Sequence, residues 1–299
     1  MEKNMFNFFK TIFTPIIAIL DFITKYFKTI VFLTIIYFIV SSNNTSGLTS
    51  VEDNTNLQKI ELAGPILNVD KVLDEISKAK TNPNIKGVLL VVNSPGGSVA
   101  PSVELAYAIK ELRAVKPVVA YASGVMASGS YYASIWANKI IANPGSMVGS
   151  IGVIFQGANV EELMKKIGVS TQTIKAGKYK EAGTFSRAWN ENEKEELESV
   201  ISDTYDMFIT DVANARKLKK QNNEKYANAH IFTARQAKKV GLIDEVGTIS
   251  IAKNELYKIS KVRNPVWNKQ DKFDKFIDRI VSETVTNFSL KFNDGLKAY

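Results

Sequence analysis

Hydrophobic positions change their spacing several times along this chain, and each change marks a different element. From Ile30 to Val40 the residues IVFLTIIYFIV carry no charge, inside an uncharged stretch from Thr29 to Val51. The strictly apolar part is short for a span, which needs ~20 residues, but the whole stretch is long enough to enter a bilayer. Ahead of it, FNFFKTIFTPIIAILDFITKYFK interleaves apolar clusters with Lys10, Asp21, Lys25 and Lys28. That pattern suits an interfacial helix, broken or kinked near Pro15. Lysines precede the uncharged stretch and no charge follows it until Glu52. The asymmetry predicts a cytoplasmic N-terminus with the rest of the chain across the membrane. SSNNTSG offers only a weak cleavage site, so an uncleaved anchor is expected over a removed signal peptide.

Beyond a linker rich in Ser, Asn and Thr, apolar runs alternate with helical stripes. LQKIELAGPI reads as a strand and a turn. Val69, Val72, Leu73 and Ile76 form a helical stripe that stops before Asn82-Pro83. IKGVLLVV, from Ile85 to Val92, is a buried strand, and a helix marked by Val103, Leu105, Ala106, Ile109 and Leu112 follows it. PVVAYA is the next strand, SGVMASGSYYASIWA ends in a buried helix, and KIIA leads to the turn NPGS. Gly149 to Phe155 is expected as a strand, Glu161 to Ile167 as a short helix, and Asn192 to Leu218 as a long one. A shorter helix begins at Thr233. Strand, loop and helix recur too regularly for an all-α or all-β fold, so an α/β domain is expected. The expected layout is residues 1–44 as amphipathic segment and anchor, 45–56 as linker, 57–262 as one catalytic domain, and 263–299 as a tail. Within the tail, Phe273, Phe276, Ile277, Ile280, Val281, Val285 and Phe288 predict an amphipathic helix that packs on protein rather than membrane.

Composition removes several function classes. The formal charge of +8 comes from lysines spread along the chain, with no compact basic stripe, so no nucleic-acid partner is expected. With no cysteine, disulfides, thiolate metal sites and a thiol nucleophile are excluded. His230 is the only histidine, and it lies in NAHIFTARQA beside a helix start, where it reads as a polar turn residue. A catalytic base working near neutral pH would then be Lys, Asp, Glu or Tyr.

Two loops carry candidate chemistry. NSPGGS, from Asn93 to Ser98, follows a buried strand and opens a helix, so its glycines can turn a backbone N–H toward a ligand. It lacks the Lys-Ser/Thr ending of a phosphate-binding loop. MASGSYYAS, from Met126 to Ser134, sets a serine among small residues at a helix start, where the next residue can donate its N–H. Ser128, Ser130 and Ser134 could each equally cap or fill space.

Taken in order, NSPGG, MASGSYYAS, GSIGVIF, GKYKEAGTFSR and FTARQAKKVGLIDEVG resemble the signal peptide peptidase A family over roughly Ile60 to Gly247. The resemblance implies a crotonase- and caseinolytic-protease-like fold of repeated ββα units. It places the family's nucleophile on Ser128, its lysine base on Lys180, its oxyanion donors on the N–H groups of Gly97 and Gly129, and its lysine-orienting hydroxyl on Ser150. Ser130 departs from the pattern, since the family usually has glycine there; it could crowd the site or add a second hydroxyl. No cofactor or metal is implied. The implied protein is a bacterial inner-membrane endopeptidase for hydrophobic peptides such as signal peptide remnants, with its catalytic domain outside the cytoplasm. It is a homo-oligomer, and in some relatives the dyad is completed across subunits. A lysine base must be neutral to take a proton, so its pKa must fall from ~10.4 through desolvation or neighbouring positive charge. Two other readings compete: an acyl-CoA enzyme of crotonase type, and an inactive peptide-binding scaffold.

Overall fold

The structure is a computed structural model that describes residues 21–22, 24–34, 36–37 and 54–268. It divides into two units, Met1–Asp53 and Asn54–Tyr299. In the first, the described residues are helical (α1), and Phe22, Phe27, Phe32, Leu33 and Tyr37 are all exposed. Among the described residues, no helix is long and apolar enough to cross a membrane. The expected anchor runs partly, and the tail helix from Asp271 wholly, outside the described residues, as does most of the linker.

The second unit is built on a mixed α/β sheet. Its strands are β1 (Leu57–Ala63), β2 (Gly87–Ser94), β3 (Val118–Ala127), β4 (Lys139–Ala142), β5 (Met147–Gly149), β6 (Ile231–Thr233) and β7 (Glu245–Val246). The order is β1-β2-β3-β4-β7, every neighbour parallel, while β5 runs beside the end of β3 and pairs antiparallel with β6. Parallel strands need both faces covered, and period two divides β2 accordingly. Val88, Leu90 and Val92 join the main core, and Leu89 points into a second one.

Helices α2 (Asp70–Thr81), α3 (Val99–Val115), α4 (Gly129–Ser134), α6 (Glu191–Arg216) and α7 (Ala234–Lys239) send buried side chains into the main core. The short α5 (Glu161–Lys166) buries none. Helix α8 (Ile249–Ser260) covers the other face, where Ala252 and Leu256 meet Leu57, Leu89, Val119, Tyr121 and Ile141. Burying each such large apolar side chain contributes roughly 1.5–3 kcal/mol.

The expected α/β class is present, with the predicted β1, β2 and helices near their expected limits. One strand differs. The run from Gly149 to Phe155 is not a strand; β5 ends at Gly149, where the expected one begins. Gly149 (φ 109°) and Ser150 (φ 50°) both have positive φ, which breaks the extended path despite the apolar side chains that follow. Strands β6 and β7 and helix α8 were not anticipated; β7 is only two residues long and β6 three.

Candidate active site

The two candidate loops leave adjacent parallel strands at the same end of the sheet. Near that end β3 is irregular: its register against β2 shifts between Val92 and Ser94. There the side-chain Oδ1 of Asn93 accepts from Val125 N–H at 3.0 Å, and the Ser123 hydroxyl donates to Val92 C=O at 3.2 Å. Such a bulge re-aims the end of a strand. Ser128 follows directly, as the residue that caps α4.

Ser128 has φ 53° and ψ −125°, outside the regions an L-residue adopts freely. Its N–H donates to Gly149 C=O (2.8 Å) and its C=O accepts from Tyr132 N–H (3.0 Å), which tie the strained turn from β3 into α4 to the end of β5 and to the first turn of α4. Gly96, at φ 92°, passes so close that a Cβ there would lie 2.6 Å from Gly129 N and 2.8 Å from Ser128 Cβ. Only glycine fits such an approach.

Gly97 forms a parallel bridge with Ile66. Ile66 N–H donates to Gly96 C=O and Ser98 N–H to Ile66 C=O, so the N–H between them, that of Gly97, is left off this ladder. Gly129 is the first residue of α4, whose N–H has no intrahelical acceptor. The site where a Gly129 Cβ would stand is 3.5 Å from Gly97 N. Two backbone donors thus stand side by side next to the Ser128 side chain, and among the described residues neither has a protein acceptor.

A shallow cleft, open to solvent, adjoins Ser128, Gly97 and Gly129. Its walls are largely apolar: Val99, Tyr132, Val153, Met207 and Phe208, with Thr204. Three of these come from α6, whose stripe at Phe208 reads in sequence as ordinary core. The Tyr132 ring packs edge-on to Phe208 at 4.6 Å, and its hydroxyl donates to Asp211 at 2.5 Å. Burial, and then that carboxylate, push the Tyr132 phenol well above its usual range, so it stays a neutral wall residue.

Ser130 neither crowds the cleft nor offers it a hydroxyl. Its buried Oγ accepts from Ala127 N–H (2.9 Å) and lies 2.7 Å from Ser94 C=O, tying the ends of β2 and β3 together. Ser150 N–H donates to His230 C=O at 2.7 Å, one residue from the carbonyl that holds Ser128. His230 itself is exposed, with its ring 5.9 Å from that of Phe232. Among the described residues no cluster of three or more His, Cys, Asp or Glu could hold a metal.

Lys180 lies elsewhere. It is exposed in the connection between α5 and α6, its N–H 3.4 Å from Gly177 C=O, and it is not among the residues that line the cleft. The connection, a strap over residues 168–190, is held chiefly by charge. Lys175 pairs with Glu181 (2.5 Å), Glu181 with Arg187 (2.9 Å), and Arg187 with both carboxylate oxygens of Glu193 (2.7 and 2.9 Å). Glu193 forms a capping box with Asn190 at the start of α6. Trp189 Nε1 donates to Thr184 C=O at 2.6 Å, closing the strap on itself.

Arg187, and then the Asn190 N–H, hold the Glu193 carboxyl down at about 2. A depressed carboxylate contributes stability that is complete above its unfolded pKa of ~4.3 and is lost as pH falls toward the folded value. Trp189 fluorescence is therefore expected to report loosening of the strap between about pH 4.3 and 2. In Glu193→Gln this acid step should disappear; its persistence would assign the step to other carboxylates.

Residues 110–263 match peptidase family S49. A provisionally named protease of Methanocaldococcus jannaschii is 45% identical over 194 residues, which are 65% of this chain and 61% of that protein. A provisionally named signal peptide peptidase SppA of Enterococcus faecium is 33% identical over 199 residues, covering 65% and 57% of the two chains. The chloroplast serine protease SPPA of Arabidopsis thaliana is 33% identical over 190 residues, covering 63% and 28%. The chain thus spans less than two thirds of each of these relatives. The family match takes in more than half of the chain, which belongs to peptidase family S49, the serine peptidases of the signal peptide peptidase A type.

Proposed function

We propose that Ser128 is the nucleophile of a membrane-anchored serine endopeptidase, with Gly97 and Gly129 as its oxyanion donors and Lys180, oriented by Ser150, as its base. The observation that carries this reading is the pair of unaccepted N–H groups beside a serine held at positive φ. In the first step the Ser128 hydroxyl attacks the peptide carbonyl carbon and its proton passes to the lysine amine. Charge develops on the carbonyl oxygen between the two donors, where preorganised N–H groups are worth most. The lysine then protonates the leaving amine, and water hydrolyses the acyl-enzyme by the same route in reverse.

Because Lys180 does not line the cleft of its own chain, the reading includes delivery of the lysine by a neighbouring copy in a homo-oligomer. Supporting this, the strap that carries it exposes Val169, Ile174, Tyr179 and Phe185, and the stretch leading into it exposes Ile154, Phe155 and Ile167. Soluble monomers rarely leave such a run uncovered. The apolar cleft favours hydrophobic peptides, signal peptide remnants included. The lysine asymmetry around residues 29–51 supports an N-terminal anchor that holds the domain on the extracytoplasmic side of a bacterial membrane. The crotonase- and caseinolytic-protease-like fold assignment belongs to the same proposal.

A serine-directed fluorophosphonate probe tests the reading. It should label the assembled protein at Ser128 and leave Ser128→Ala unlabelled, although Ser130 remains. Failure to label an assembled sample would favour a peptide-binding scaffold, and labelling that survives Ser128→Ala would move the nucleophile elsewhere.

A further inference from the structure

Lys180 is followed directly by a carboxylate, Glu181. An anion one residue away from a lysine that must be neutral works against it, because an opposite charge favours the charged amine. Here that carboxylate is already engaged: Glu181 Oε2 takes Lys175 Nζ at 2.5 Å and Arg187 Nη2 at 2.9 Å. Arg187 is in turn gripped by Glu193, whose side chain is only 1% exposed and belongs to the cap of α6. The array therefore begins on a rigid helix terminus and ends beside the candidate base.

We propose that Glu181 and Arg187 are positioning residues for the peptidase reaction: the array Lys175–Glu181–Arg187–Glu193 fixes the strap to α6 and keeps the Glu181 carboxylate from pairing with Lys180. The inference rests on the reading of Lys180 as the base. Besides Lys180 itself, the charged groups on the strap are Lys175, Lys178, Glu181 and Arg187. Glu193 faces it from α6, and Glu161 of α5, itself paired with Lys165, accepts from Ala188 N–H at 3.3 Å. Lys178 lies over the Tyr179 ring at 5.0 Å rather than on a carboxylate. Glu181 and Glu193 are thus each matched by a cation of the array.

The test is the pH profile of kcat/KM for an unstructured hydrophobic peptide, using the full chain. Its acid limb reports ionisation of the base in the free enzyme. Arg187→Gln partly releases Glu181, so the limb should move to higher pH by about one unit. Glu181→Gln should move it to lower pH, and adding Glu181→Gln to Arg187→Gln should undo the upward shift even where kcat stays low. A purely structural role would lower kcat without moving the limb and without this reversal, and that result would overturn the inference. Should Arg187→Gln fail to fold, the Glu181→Gln shift decides alone. Lys180→Ala separates the two levels: full activity in that variant overturns the base assignment and this inference together. An inactive Lys180→Ala beside an unmoved limb in Glu181→Gln overturns this inference only.

Discussion

Mixing Ser128→Ala with Lys180→Ala subunits is expected to restore peptidase activity that neither variant has alone. Each single variant should lose about 10³-fold or more in kcat, since removing one member of a cooperating nucleophile–base pair removes most of what the pair does. The recovery follows from placement: Ser128 opens on a cleft that Lys180 of the same chain does not line. If a neighbour supplies the lysine, random co-assembly sets an intact serine beside an intact lysine in roughly a quarter of sites, as expected of a head-to-tail interface. Activity of co-expressed variants should then approach that fraction of the parent. Mixed oligomers that form, as seen by native mass spectrometry, yet stay inactive would place both residues of the dyad in one chain.

Gly97→Ala should nearly abolish turnover while leaving the serine in place. A Cβ at Gly97 would stand 2.2 Å from Ile66 C=O oxygen and 2.6 Å from Ile66 N, and both are backbone atoms that cannot rotate aside. The bridge must open and its N–H must swing from its place beside Gly129. Loss of one oxyanion donor costs about 10²–10³ in kcat, so the effect should fall on kcat more than on KM. Gly145→Ala is the control. Its Cβ would meet nothing nearer than Asn143 Oδ1 at 3.5 Å, so stability should change by no more than about 0.5 kcal/mol. A folded Gly97→Ala enzyme with more than half the parent kcat would remove Gly97 from the oxyanion site.

What the chain reveals by inspection depends on how local the encoding is. β2 and α3 were legible because a buried parallel strand reads as a solid apolar run and its following helix as a stripe. The Gly-Gly turn and the Ser-Gly start of α4 were legible too, since positive φ and close approach leave few residues to choose from. The run from Gly149 to Phe155 misled because its apolar side chains mimic a strand, whereas the turn at Gly149 and Ser150 is fixed by bonds to Ser128 and to His230, both distant in sequence. Ser130 could not be assigned in advance either; whether a hydroxyl faces a cleft or a backbone carbonyl is a matter of tertiary direction. Thr204, Met207 and Phe208 form a wall of the cleft, yet nothing in their spacing separates a wall from a core. Lys180 marks the limit most clearly. The family motif proposes it as the base, but an exposed strap carries no local signal of whether it would meet a serine of its own chain or of a neighbour.

The backbone of Ser128 has a consequence for how this scaffold ages. A serine held at φ 53° and ψ −125° stores strain of about 1–3 kcal/mol, which the surrounding bonds must outweigh. If Ser128 is the nucleophile proposed above, the chemistry of its hydroxyl is what keeps a side chain there. On that proposal, a gene copy freed from the need to cut peptides would drift toward glycine at this position, gaining stability as it lost the proposed nucleophile. Alanine, the usual laboratory replacement, would keep the strain while discarding the proposed nucleophile. Glycine at this one site would therefore be a genomic signature of lineages that kept the fold and gave up hydrolysis.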